Sequence, residues 1–196
     1  MHIYRLSPTD DTRLYDTDPA LQIARVRPLG LGQRWSGDWL PLPVHALKKP
    51  GRLRHEIEAD YSAIGAYVAA PVVSARVQAL VAALLGERAQ WLPLAVQDGE
   101  PRMLLNLLNV VDALDPGTSS LRRLADGRVM DIERYAFRPA AVREAALFKV
   151  PQAPFDVLAT EAVREQLLAA GCTGVHFEPV WCEEEPAPPS PKADRR

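Results

Sequence analysis

Cys172, His176 and Cys182 stand in the spacing Cys-x3-His-x5-Cys, which brings together the ligand types that zinc prefers. A structural zinc site needs four converging ligands, and no fourth candidate stands at a workable spacing. The strand expected between them also sends alternate side chains to opposite faces. The two thiols are therefore read as small apolar fillers, with no disulfide, metal or other cofactor expected. Asp112 and Asp115 flank Ala113-Leu114 just before Pro116-Gly117, where two carboxylates could divide acid–base work. Aspartate ahead of Pro-Gly is also ordinary turn chemistry, and no nucleophile motif stands nearby. Ser119 and Ser120 lack a glycine-flanked elbow, and Gly30-Leu31-Gly32 lacks the third glycine of a dinucleotide loop.

Other residues are better suited to binding than to bond-making. Trp181 followed by Glu183, Glu184 and Glu185 pairs an aromatic anchor with an acidic rim, a composition that favours a basic protein partner. Trp35 and Trp39 are a second pair of anchors. His45, Lys48, Lys49, Arg52, Arg54 and His55 form the one basic cluster, but Glu56, Glu58 and Asp60 follow at once and no aromatic residues interleave. With a net charge of -2 and a pI near 6.1, the chain lacks the positive field of a nonspecific nucleic-acid binder.

The elements that must position these residues are short. At 196 residues and 47% hydrophobic content the chain can build a real core, while 18 prolines and 11 glycines divide it into brief segments without internal repeats. His2 to Leu6 and Leu21 to Arg27 alternate as strands, with Leu21, Ile23 and Val26 facing inward. Residues 28–50 read as an irregular stretch anchored by Trp35 and Trp39. A helix begins at the capping hydroxyl of Ser74, repeats apolar residues at the helical period through Val77, Leu80, Val81, Leu84 and Leu85, and stops at Gly86. Trp91 to Val96 and Arg102 to Val111 form a hairpin about Asp98-Gly99. Gly127 to Phe137 and Leu147 to Val150 are further strands, with a turn of helix near Ile132 to Tyr135 as the alternative. Val157 to Ala159 leads into a helix capped by Thr160, carrying Val163 and Leu167 inward and closed by Gly171. Gly174 to Trp181 is the last strand, with Val175 and Phe177 on one face and His176 and Glu178 on the other.

The fold class expected is α+β, a mostly antiparallel sheet with two main helices and long Pro/Gly-rich loops. Residues 1–60 form an N-terminal strand and loop region, 61–182 the α+β core, and 183–196 a disordered acidic and Pro-rich tail. The longest apolar stretch, from Val72 to Leu85, is broken by Ser74, Arg76 and Gln78, so no membrane span is expected. The start, Met1-His2-Ile3-Tyr4-Arg5, lacks a secretory signal, and the expected location is the cytoplasm.

The order of elements and the residues at their junctions resemble immunity protein family eleven of bacterial polymorphic toxin systems, the myxobacterial-type immunity proteins. The likeness is carried by Asp60-Tyr61, by Val72-Val73-Ser74, by Trp91-Leu92-Pro93-Leu94 with its hairpin, and by the run from Asn106 to Asp115. It continues through Leu147-Phe148-Lys149-Val150-Pro151 and Val157-Leu158-Ala159-Thr160, and is most specific from Gly171 through Gly174 to Pro179-Val180-Trp181. The match is thinner from Tyr4 to Lys49, and the tail lies outside it. The resemblance implies a toxin-neutralising protein whose cognate toxin is encoded nearby, with no catalytic residues to carry over, and the charge and apolar pattern above leave neither nucleic acid nor membrane as an expected partner. A nuclease is the toxin class that the acidic patch favours. Trp181, Glu183, Glu184, Glu185, Trp35, Trp39, Asp112 and Asp115 are then the candidate toxin-binding residues. Two alternatives stand beside this reading: an enzyme using Asp112, Asp115 or His176, and a nucleic-acid adaptor using the His45 to His55 cluster.

Overall fold

The computed structural model describes residues 1–47, 56–65 and 70–183. Strand β1 (His2–Pro8) runs through the middle of a four-stranded antiparallel sheet of order β10-β11-β1-β12, with β10 at Leu147–Val150, β11 at Ala153–Thr160 and β12 at Val175–Cys182. Strands β2 (Tyr15–Asp16), β3 (Leu42–Ala46), β4 (Tyr61–Ile64), β5 (Ala70–Val73), β6 (Ala89–Val96) and β7 (Arg102–Leu107) close a barrel in the order β2-β3-β6-β7-β5-β4. A separate two-stranded ribbon pairs β8 (Ser120–Arg123) with β9 (Val129–Arg134). The class is α+β and the pairing mostly antiparallel, apart from β2 with β4 and β3 with β6. Segments from both sides of residue 60 thus build the same two sheets.

Period-2 alternation gives the four-stranded sheet two buried faces. Tyr4, Leu6, Val157 and Ala159 pack against Val77, Val81 and Leu85 of α3 (Ala75–Leu85) and against Val163 and Leu167 of α5 (Glu161–Ala169). Ile3, Phe148, Val150 and Leu158 turn the other way, onto Ile132, Tyr135, Phe137 and Val142. A bulge in β12 opposite Ile3 and Tyr4 lets Val180 and Trp181 both pack toward this second face, while Val175 and Phe177 pack toward the first. The barrel is filled by Tyr15, Leu42, Val44, Ile64, Val72, Leu92, Leu94 and Leu104, so it is a packed core and not a pore. Among the described residues no helix is long and apolar enough to cross a membrane.

Both main helices begin as their sequence predicts, although their caps differ. Ser74 Oγ accepts from the amide of Val77 at 3.3 Å and donates to Asp60 Oδ1 at 2.7 Å. The other oxygen of Asp60 accepts from Thr173 N and Oγ1 at 3.0 and 3.2 Å, which ties the start of α3 to the turn before β12. Burial works against ionisation of Asp60, but these hydrogen bonds and Arg76 outweigh it and lower its pKa. Thr160 makes no side-chain cap, and its hydroxyl leans toward Ala146 O instead. At the same end Glu161 accepts from Tyr4 Oη at 2.5 Å and Arg164 Nη1 at 2.8 Å, fastening α5 to β1.

Several expectations need correction. Residues 19–30 are helical and not a strand, running through α1 (Pro19–Leu21), a π-turn at Gln22–Val26 and α2 (Arg27–Gly30). Asp18 accepts from the amides of Ala20 and Leu21, and Pro19 has the fixed φ of a first helical residue, a start signal that outweighs the alternation. Ile23, expected inward, is 64% exposed, whereas Val26 and Leu29 are buried. β7 stops at Leu107, after which Val110 makes a lone parallel bridge to Lys149. In the β6–β7 turn Asp98 takes the left-handed conformation, φ +55°, and Gly99 does not. The stretch expected to be irregular contains β3, while β4, β5, β8 and the short helix α4 (Pro139–Val142) were not anticipated.

Candidate functional site

Residues 19–40 lie across the barrel wall and are held there by a row of polar contacts. At one end Lys149 of β10, 2% exposed, donates from Nζ to Gly30 O at 2.7 Å, and burial lowers its pKa to about 8. Next, Asn106 of β7 donates from Nδ2 to Gln33 O at 2.8 Å and to Gln90 Oε1 at 2.9 Å. Gln90 of β6 accepts from Trp35 N at 2.8 Å and donates from Nε2 to Trp35 O at 3.1 Å, so its amide pairs with the Trp35 backbone as a neighbouring strand would. Arg34 Nη2 donates to Glu87 O at 2.9 Å, and Trp39 Nε1 donates to Pro93 O at 2.8 Å. Gly32 makes this seating possible: it sits at φ +75°, and a Cβ there would lie 2.5 Å from Val110 Cγ2.

The outer side of this segment is aromatic, cationic and apolar. The Trp35 and Trp39 rings meet edge to face at 5.1 Å, and the Arg25 guanidinium lies 4.1 Å from the Trp39 centroid and 5.5 Å from that of Trp35. Arg25 also donates to Leu40 O, closing the loop on itself. Ile23 is 64% and Leu40 73% exposed, two large aliphatic side chains left in water by a backbone that is otherwise firmly held. Nearby, Leu21, Pro43, Val44, Ala95 and Val96 line a shallow groove with Thr17, Asp18, His45 and Gln97.

The other residues singled out from the sequence sit elsewhere. Trp181 packs inward, its ring 5.7 Å from Phe137 at 79°. Leu114 bridges to Phe137, which brings Asp112 and Asp115 to the same end of the molecule as Trp181. Asp112 pairs with Arg138 at 3.5 Å, and Asp115 Oδ1 accepts from Gly117 N at 2.8 Å, so that carboxylate shapes the turn. His176 is exposed on β12 opposite Ser7, away from the turn that holds Asp115. Glu183 faces the Met1 amine at 3.6 Å, whereas Glu184 and Glu185 lie outside the described residues. Of the basic cluster only His45 is described, exposed on β3; Lys48, Lys49, Arg52, Arg54 and His55 lie outside. Cys172 packs against the α3–α5 core and Cys182 stands opposite His2, so the Cys-x3-His-x5-Cys residues do not converge. Among the described residues no group of three or more His, Cys, Asp or Glu gathers as a metal site.

Sequence reasoning found Trp35 and Trp39 but missed Gln90, Asn106 and Lys149 beneath them. Polar residues inside apolar strand runs are the signal available, since burying them requires partners.

A family model described as "Immunity protein family (Imm11)" matches residues 41–181. The chain belongs to the Imm11 immunity protein family. No curated protein matches it. The Imm11 match takes in β3 to β7 and β10 to β11 whole and most of β12, and it contains Gln90, Asn106 and Lys149. The segment that those three residues hold, 19–40, precedes the matched stretch, as does the central strand β1.

Proposed function

We propose that this Imm11 protein binds one cognate toxin, encoded beside it, and neutralises it in the cytoplasm by covering a surface of it, with no chemistry of its own. The observation that carries the reading is the exposure of Ile23 and Leu40 beside Trp35, Trp39 and Arg25, on a segment fixed by buried polar anchors. Tryptophan and arginine are the residues in which interface energy concentrates, and a surface already held in shape loses little freedom on binding. Trp35 and Trp39 are thus the sequence candidates that the proposal retains as contacts. Trp181, Asp112, Asp115 and Glu183 are kept for comparison, because none of them belongs to the segment that leaves Ile23 and Leu40 exposed.

The test is co-expression with the toxic domain encoded beside the gene, taking a nuclease first. Cells are expected to survive with this protein and to die without it, and the purified protein is expected to leave nucleic acids unaltered. Death in both cases would overturn the reading.

A further inference from the structure

The segment 19–40 carries Arg25, Arg27 and Arg34 against the single acid Asp38, a net charge of +2 within a chain of net charge -2. Arg27 and Arg34 are exposed, and counting Asp18, the N-cap of α1, leaves the segment at +1. The exposed Ile23 and Leu40 thus belong to a segment of net positive charge, and Arg25 donates to the carbonyl of Leu40. From this we infer that the segment is the recognition element of the protein, and that the toxin face it takes is apolar at its centre and rimmed by carboxylates. The inference rests on the toxin-binding reading and adds to it where the toxin sits and what chemistry it presents.

Two features support a recognition role for this stretch over the Trp181 end. The residues that hold it, Gln90, Asn106 and Lys149, belong to the family-matched part of the chain, while the held residues precede that part. The family-matched frame of this chain thus supplies the buried donors and acceptors that fix the surface segment. The charge of the segment is also opposite to that of the whole molecule, so a carboxylate-rimmed partner is drawn to this face and turned from the remainder. That partner differs from the basic one to which the Trp181–Glu183 patch points.

Binding kinetics of the full-length protein with the purified, inactivated toxic domain encoded beside it test the inference. Reversing the exposed charge of Arg27, Arg27→Glu, is expected to slow association about threefold or more at low salt and to have little effect in high salt, where the fields are screened. Ile23→Asp and Leu40→Asp are each expected to speed dissociation more than tenfold, with far-UV circular dichroism unchanged. Backbone-amide exchange in the complex is expected to be slowed across residues 19–40. Three results would overturn the inference while leaving the toxin-binding reading intact: wild-type kinetics in all these variants, faster association after charge reversal, or exchange protection at β12 and Arg138 instead. Failure of the unaltered protein to bind would overturn both.

Discussion

Lys149 Nζ lies 2.7 Å from the carbonyl oxygen of Gly30, so a strand of the open sheet holds the end of a helical turn on the barrel. This contact has a pH signature. In the unfolded chain the lysine titrates near 10.5, and in the fold burial brings it to about 8. Between these values the unfolded state binds the extra proton, so stability rises as pH increases from about 8 to about 10.5. The shift corresponds to about 3 to 4 kcal/mol at most, taking about 1.4 kcal/mol per pH unit. Tyr61 and Tyr135, whose pKa values burial raises, oppose the gain above pH 10. Urea unfolding of the native protein and of Lys149→Met is expected to show the rise between pH 8 and 10 in the first and its absence in the second.

Asn106 is fully buried and its Nδ2 holds both Gln33 O and Gln90 Oε1. Replacing it with leucine leaves two acceptors without this donor, a loss of about 1–3 kcal/mol. Because those acceptors position Trp35, the expected outcome in Asn106→Leu is a red-shifted tryptophan emission and weaker toxin binding by a still-folded protein. Emission and affinity equal to the native protein would show that the amide row does not order the loop.

Gly174 has φ +79°, and a Cβ there would lie 2.3 Å from Ala59 Cβ and 2.5 Å from Tyr61 O. The obstructing atoms include backbone, so they move only with β4. Gly174→Ala is expected to cost more than about 2 kcal/mol in denaturant unfolding, within the range of other strained or overpacked core changes. A loss under half a kilocalorie, roughly the surface-substitution scale, would refute the crowding described.

Asp60 contributes stability through its carboxylate, because the hydrogen bonds from Ser74 and Thr173 lower its pKa below the ordinary 3.8. That contribution is fully present above the unfolded value and is lost as pH falls through the folded one. Asp60→Asn is expected to be less stable than the native protein at pH 7, with the difference narrowing below pH 4. A gap that stays constant into acid would assign the effect to packing.

Asp112→Asn, Asp115→Asn and His176→Gln are expected to protect cells as the native protein does. Their side chains serve an ion pair, a turn and a solvent-facing strand position, none of which depends on proton transfer. Loss of protection in a variant that keeps its fold and still binds the toxin would revive the enzymatic alternative.

The readable parts of the sequence were those where local chemistry and global packing agree. Ser74 before a 3.6-residue apolar period, and Gly171 and Gly174 around the last turn, specify α3 and the entry to β12 without help from distant residues. Leu21 to Arg27 misled because its alternation was stronger to the eye than Asp18-Pro19, although the capping pair decided the outcome. The barrel was not legible: β4 and β5 are four residues each and uniformly buried, so they show no alternation, and their closure depends on partners far along the chain. The candidate site was half visible. Two tryptophans are conspicuous in any sequence, but the glutamine, asparagine and lysine that fix them are recognised only when burial is known.

β1 is the second partner of β11 and the only sheet partner of β12, so the open sheet gains its middle pair only after β11 has left the ribosome. The barrel, whose strands all lie within residues 15–107, has no such wait. Synthesis therefore delivers the platform beneath the tryptophans early and the lysine that secures them late, together with the strands that shelter it. A nascent chain can hold residues 19–40 through Gln90 and Asn106 before Lys149 is made, and the row of polar contacts is complete only when β10 has joined the sheet.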